Sequence, residues 1–222
     1  THALNVSLLS TAMARTMDLP DRMIDAVGLG ALCHDVGKER IPVEVLRKPG
    51  KLTDEEKALM DRHPVEGAAK VLAVPGVVAP LVPVIAFEHH MRADGSGYPK
   101  MPVPHRAHPA SMMVAVADTF DALRTVRPYQ DHAFTPPGAM TILIREARAG
   151  RHHSVFVSVF ARLVNIITPG RKVKLTDGRP AVVLATGEFD ALAPLVETEE
   201  REILDLSMPG TPGLEIIEED VM

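Results

Sequence analysis

Apolar residues recur at helical spacing through the first two stretches of the chain. Leu4, Leu8, Leu9 and Ala12 predict a helix over residues 2–18, and Met23, Ile24, Val27 and Leu29 a second over 21–35. In "RKPGKLTDEEKALMDRHPVEGAAKVL" Pro49-Gly50 marks a turn, and Thr53 with Glu56 forms a capping box that opens another helix. Pro64 lacks an N–H and fixes its own φ, so it kinks or restarts that helix beside His63. Residues 80–90 read as a short apolar helix and 91–107 as a loop rich in Pro and Gly. "ASMMVAVADTFDAL", residues 110–123, is a strongly apolar helix, and 136–149 and 154–168 are helical too. After Pro169-Gly170 the period changes from helical to alternating. Val173 and Leu175 alternate with charge, and Asp177-Gly178 supplies a hairpin turn. The expectation is a mainly α protein, with a helical unit over residues 1–168 and a small β-rich C-terminal subdomain over 169–222.

Composition narrows the classes. A chain of 222 residues, 46% hydrophobic, suits one sizeable domain, or one with a small appendage. No apolar run is long enough to cross a bilayer and no signal pattern opens the chain, so no membrane segment is expected. Thr1 is not an initiator methionine, so the chain reads as a fragment of a longer one. The single Cys33 cannot form an internal disulfide, and a cytoplasmic location is the default. A formal net charge of -5 argues against general binding to nucleic acid or anionic membrane. An anionic substrate would therefore need local positive charge, such as bound metal ions.

The candidate chemistry sits in predicted helices or at their ends: His2, His34-Asp35, His63, His89-His90 and Asp118. Imidazole and carboxylate together suit divalent transition metals, and a carboxylate can bridge two. Asp118 lies in so apolar a helix that its charge is costly unless paired or bound to a cation, and Asp121 shares roughly its face. Each residue alone also has a plain reading. His34-Asp35 can be a helix-end polar pair, His63 a helix boundary, His89-His90 a solvated terminus, and Asp118 the partner of a buried arginine.

The ordered series His2, "HDVGK" (34–38), "HP" (63–64), "HH" (89–90), "DGSGYP" (94–99), "VADTFDAL" (116–123) and "RPY" (127–129) resembles the HD-GYP family of bacterial cyclic-dinucleotide phosphodiesterases. "IPVEVLRKPGKLTDEE" is similar to the segment that family carries between its second and third metal motifs, and the stretch opening "PGRKVKLTDG" to its β extension. The resemblance implies an HD-type helical bundle. It implies His2, His34, Asp35, His63, His89, His90 and Asp118 as ligands of two divalent metal ions, iron or manganese, with Asp35 bridging them. A third metal is left open, because its glutamate position would lie upstream of Thr1. Asp35 and Lys38 carry the catalytic roles. Lys38, Tyr98, Asp121, Arg127 and Gln130 are the substrate-facing positions, with Tyr98 as the stacking aromatic. The implied reaction is hydrolysis of cyclic di-GMP to linear pGpG, and onward to GMP. The 94–99 loop is also the expected contact for a GGDEF-type or regulatory protein partner.

The chain departs from the family where Met91 replaces a glutamate, where Gln130 replaces a basic residue, and where Met112 or its neighbour stands for an arginine. These departures keep two alternatives in view: a catalytically weak cyclic-dinucleotide sensor or adaptor, and an enzyme for another cyclic dinucleotide such as 3′,3′-cyclic GMP-AMP. His105, His108, His132, His152 and His153 match no ligand position and read as loop and surface residues. Cys33 reads as a buried small apolar group, and Met112 and Met113 as core filling.

Overall fold

In the computed structural model, residues 1–75, 79–125, 133–187 and 190–216 are described. The helical part runs α1 (His2–Thr16), α2 (Asp21–Cys33), a 3-10 turn (Val36–Arg40), α3 (Val43–Leu46), α4 (Asp54–Met60), α5 (His63–Leu72), α6 (Leu81–Glu88), α7 (Pro109–Arg124), α8 (Pro136–Arg148) and α9 (Ser154–Leu163). The 3-10 turn and α3 were not expected from the pattern, which is too short there to show a period. The Thr53–Glu56 capping box is present, and Pro64 restarts the helix as α5 instead of kinking α4. The last helix stops at Leu163, short of the expected 168. Asn165 adopts φ 52, and Ile166 and Ile167 are buried without helical backbone.

α7 is the axis of the bundle. Val114, Val116 and Ala117 are fully buried on it, and it packs against α1, α2, α6, α8 and α9. Phe120 meets Phe160 of α9 edge-on at 4.8 Å. A helix apolar on nearly all sides belongs in the centre of a bundle. Its deep charged turn, Asp118 and Asp121, therefore faces a point where other elements must supply partners.

The C-terminal strands form an antiparallel five-stranded sheet in the order β4 (Ile203–Asp205), β3 (Leu195–Thr198), β2 (Pro180–Ala185), β1 (Lys172–Leu175), β5 (Leu214–Ile216). Val173 and Leu175 face inward while Lys172 and Lys174 are exposed, as the alternation predicts. The hairpin turns at Asp177-Gly178, with Gly178 at φ 93 and Val173 opposite Ala181. One contiguous buried cluster continues from the helices into this sheet through Val173, Val183, Val196 and Leu214. No helix among the described residues is long and apolar enough to cross a membrane.

Two backbone approaches shape the region that follows. A Cβ on Gly37 would lie 2.0 Å from the His63 carbonyl oxygen and 2.5 Å from Gly67 N, so the 3-10 turn seats directly on the start of α5. Gly97, at φ 83, would place a Cβ 2.2 Å from the His90 carbonyl oxygen. It closes a tight loop in which Met91 bridges Gly97.

Gly37→Ala is expected to cost about 1–3 kcal/mol, because backbone rather than a flexible side chain must yield. Chemical denaturation reads this directly, and a variant as stable as the parent would contradict the close approach. Met91 is only 9% exposed and belongs to the core cluster. Met91→Glu should therefore destabilise the fold by about 2 kcal/mol, since it replaces a core side chain with a carboxylate largely removed from water. An unchanged or raised unfolding midpoint would contradict that.

Candidate metal centre

Five segments converge on one buried point. The first turn of α1 brings His2, the end of α2 brings His34 and Asp35, the start of α5 brings His63, the end of α6 brings His89 and His90, and the middle of α7 brings Asp118. Their ligand atoms fall into two groups. Asp35, His63, His89 and His90 form one and His2, His34 and Asp118 the other, and within each group the atoms lie within 4.8 Å of one another.

The carboxylates join the groups. Asp35 Oδ2 is 3.3 Å from His34 Nε2 and 3.9 Å from His2 Nε2, while its Oδ1 is 3.4 Å from His63 Nε2 and 3.8 Å from His89 Nε2. Asp118 Oδ1 is 3.1 Å from His2 Nε2 and 3.8 Å from His34 Nε2, and its Oδ2 is 4.0 Å from His90 Nδ1. Each carboxylate thus turns one oxygen to each group.

The imidazoles are oriented by helix ends. His34 Nδ1 lies 2.6 Å from Ala31 O, His63 Nδ1 2.7 Å from Met60 O, and His89 Nδ1 2.9 Å from Ala86 O. Those carbonyls belong to the last turns of α2, α4 and α6, where helices leave C=O groups without intrahelical donors. Each ring donates its Nδ1 hydrogen to such a carbonyl, which leaves Nε2 as a lone pair aimed inward. His2 sits at a helix start, where no free carbonyl is at hand. α7 supplies the partner instead: Asp121 Oδ2 is 2.6 Å from His2 Nδ1, and Asn5 Nδ2 donates to Asp121 Oδ1 at 2.9 Å.

This arrangement has the chemistry of a cation site. His63 Nε2 and His89 Nε2 face each other at 3.2 Å with both Nδ1 hydrogens committed elsewhere, so two lone pairs are opposed. His34 Nε2 and Asp35 Oδ1 are buried with no hydrogen-bond partner. Buried polar atoms of that kind are normally satisfied, and a divalent cation satisfies imidazole and carboxylate together. The residues present fit such a group.

The electrostatics divide the site. Burial pushes both Asp35 and Asp118 up, but neighbouring imidazoles outweigh it and hold both well below the carboxylate range. His34 and the Lys38 ammonium act on Asp35, and His2 with His34 on Asp118. Burial lowers His63, lowers His89 further with help from His90, and brings His90 to about 3. His2 is raised by its bond to Asp118, and His34 is raised by Asp35 against the pull of burial.

Around the rim, Lys38 Nζ lies 2.6 Å from Asp35 Oδ2 and its side chain is 36% exposed. The Tyr98 ring packs tilted against His90 at 4.7 Å and lies 6.1 Å from His63, with Lys57 Nζ 5.4 Å over it. Burial raises its phenol, so the ring is uncharged. Asp121, expected to face substrate, has its oxygens on His2 and Asn5. Arg127 and Gln130, with Tyr129 and His132, lie outside the described residues.

Three features escaped the sequence reading. His152 is not a surface residue; it is 4% exposed and bonded to Arg92. Cys33 is only half-buried, so it is not core filling. Glu88, beside the histidine pair, is 5% exposed and accepts from His108 N at 2.7 Å and Ser111 Oγ at 2.8 Å, with His105 Nε2 2.7 Å away. It ties the start of α7 to the end of α6. Its only sequence signal was a charge inside an otherwise apolar helix.

The HD-domain family pattern matches residues 2–152, the part of the chain that holds every element of this centre. A cyclic di-GMP phosphodiesterase of Pseudomonas aeruginosa is 37% identical over 197 residues, covering 88% of this chain and 46% of that protein. A 3′3′-cGAMP-specific phosphodiesterase of Vibrio cholerae is 34% identical over 161 residues, covering 72% of this chain and 37% of that protein. The chain thus spans less than half the length of these relatives. Among solved structures, an HDG"Y"P protein from Bdellovibrio bacteriovorus superposes with a TM-score of 0.59 at 26% identity, covering 74% of this chain and 51% of that one. A matched pattern over most of the helical part, together with the ordered His, Asp and Gly-Tyr-Pro motifs, shows that this chain belongs to the HD-domain family, in its HD-GYP branch.

Proposed function

We propose that this chain is a metal-dependent phosphodiesterase that opens cyclic di-GMP, giving the linear dinucleotide first. The observation that carries the reading is the pair of His/Asp groups sharing Asp35 and Asp118, with an aromatic ring packed at their edge. His2, His34 and Asp118 would hold one divalent ion and His63, His89 and His90 the other, Asp35 serving both. Imidazole with carboxylate suits iron or manganese. Such ions supply activation of water near neutral pH and neutralise charge on a phosphoryl group.

The protein's own residues do the rest. Asp121 fixes the tautomer of His2, which is how we read its bond to that ring. Lys38 sits at the rim with a partly exposed ammonium on a long stem that could turn from Asp35 to a substrate phosphate. The Tyr98 ring is flat and uncharged, and a guanine base would stack on it by taking the place of the Lys57 ammonium that lies over it. The exposed loop tip, Asp94 to Ser96, is left for a regulatory protein. A second substrate, 3′,3′-cyclic GMP-AMP, is supported by the Vibrio cholerae relative named for it.

Incubation of the Mn(II)- or Fe(II)-loaded protein with each cyclic dinucleotide, followed by product chromatography, is the direct test. Linear pGpG is expected; binding without any turnover under anaerobic conditions would replace the enzyme by a sensor. Asp35→Ala should lose roughly a thousandfold in rate and bind less than the parent's metal content. A variant that keeps full metal and rate would defeat the shared-carboxylate reading.

Metal uptake competes with protons, and the site's titration has a sign. His63, His89, His90 and His152 have lowered pKa values when folded, His90 and His152 near 3, so the unfolded chain binds more protons below about pH 6.5. Asp35 and Asp118, held low, act in the same sense below about pH 4. His2 and His34, raised, oppose in part: their contribution is full below about pH 6.5 and is lost as pH rises through their folded values. The metal-free protein should therefore lose stability steadily as pH falls from neutral toward about 4. Denaturant midpoints across that range check this, and a midpoint that is flat or rises on acidification would refute it.

A further inference from the structure

Arg92 opens the glycine loop, yet its guanidinium is bonded away from the metal centre. Its Nη1 lies 3.0 Å from His152 Nε2, in the turn between α8 and α9. The next residue makes the same connection through the backbone, Ala93 N donating to Arg151 O at 2.9 Å. His152 Nε2 is also 3.3 Å from Thr119 Oγ1, the residue after Asp118 on α7, and 3.6 Å from Glu146 Oε2. Three separate segments thus meet at one buried imidazole that the metal centre does not use.

The imidazole is an acceptor there. Burial first, and the Arg92 charge second, lower it to about 3, so Nε2 offers a lone pair to the guanidinium and the ring hydrogen sits on Nδ1. Glu146 accepts from Arg151 Nη1 at 3.1 Å through one oxygen and turns the other toward His152.

What is fixed at Arg92 is fixed at Tyr98, because the loop between them is closed on itself. Arg92 N donates to Ser96 O at 3.0 Å, Gly95 N to Arg92 O at 3.0 Å, and Tyr98 N to His90 O at 3.2 Å. The aromatic ring at the far end packs on His90.

We propose that His152 is a positioning residue: by holding Arg92 against α7, it fixes the glycine loop, and with it Tyr98, over the metal centre. The effect on substrate rests on the phosphodiesterase reading; the effect on the loop does not.

The test uses the metal-loaded protein with His152→Ala and His152→Gln, the second keeping a hydrogen-bond acceptor. In His152→Ala, amide exchange at Ala93, Gly95 and Tyr98 should accelerate by about tenfold or more. KM for cyclic di-GMP should rise about tenfold with kcat nearly unchanged, the loss of one charge-assisted hydrogen bond. Metal content and hydrolysis of bis(p-nitrophenyl) phosphate, which is too small to need the loop, should stay at parent levels, and His152→Gln should recover most of the loss. Unchanged loop exchange in His152→Ala would overturn the proposal, as would loss of the small-ester activity in parallel with the dinucleotide activity. Should His152→Ala not fold, Arg92→Ala must show the same exchange and KM changes, and parent-like behaviour there overturns it equally. A parent protein that cleaves no cyclic dinucleotide would defeat the phosphodiesterase reading alone, and the exchange result would still decide the role of His152.

Discussion

Two buried carboxylates, each with one oxygen turned toward each of two imidazole groups, constrain everything around them. Asp118 cannot move, because it projects from the most enclosed helix of the bundle, between Ala117 and Phe120 of the core. Asp35 must then arrive from α2, and the imidazoles from α1, α5 and α6, at distances of 3.1 to 4.0 Å. Core packing at native density tolerates little adjustment. The apolar contacts of α7 therefore set the geometry of the polar centre, and the close seat of Gly37 on α5 carries Asp35 to His63.

The recurrent device is the helix end. A helix that stops leaves carbonyls without donors, and a histidine placed there satisfies one with Nδ1 while Nε2 points onward. α2, α4 and α6 each end this way, so stopping a helix and orienting an imidazole are one event. This accounts for Met91. His34, His63 and His89 are oriented by main chain and His2 by Asp121, so none of these four draws on residue 91, which is a core side chain. The carboxylate next to the pair, Glu88, does a different task in fastening α7 to α6.

Much of this was legible in the sequence, and the reason is local. Periodicity located the long helices, the capping box is a contact between residues three apart, and the switch to alternation at Pro169-Gly170 marked the sheet. The residues that converge at the centre were singled out because seven motifs occur in a family's order, each histidine or aspartate alone also having a plain reading. What stayed hidden depends on distant partners. Nothing in "RHHSVF" tells His152, packed beneath Arg92, from His153 beside it, and nothing around Asp121 says that His2 will occupy it. The 3-10 turn after His34 is set by contact with α5, which no window of sequence contains.

The charge balance of the centre closes a gap left by composition. The chain as a whole carries -5, the wrong sign for a dinucleotide with two phosphodiester charges. Within the centre, however, Asp35 and Asp118 are the only carboxylates placed among the two ligand groups of the described residues, and His63, His89 and His90 are neutral. Two divalent ions held as proposed would bring four positive charges against two negative ones, and Lys38 adds another at the rim. Such a surplus would be local, partly buried and weakly screened, and so would act on a bound phosphate far more strongly than the diffuse surface charge acts at a distance. A ligand set made mainly of imidazole rather than carboxylate is what leaves that surplus. The same composition that would let a negatively charged protein hold cations would let those cations hold an anion.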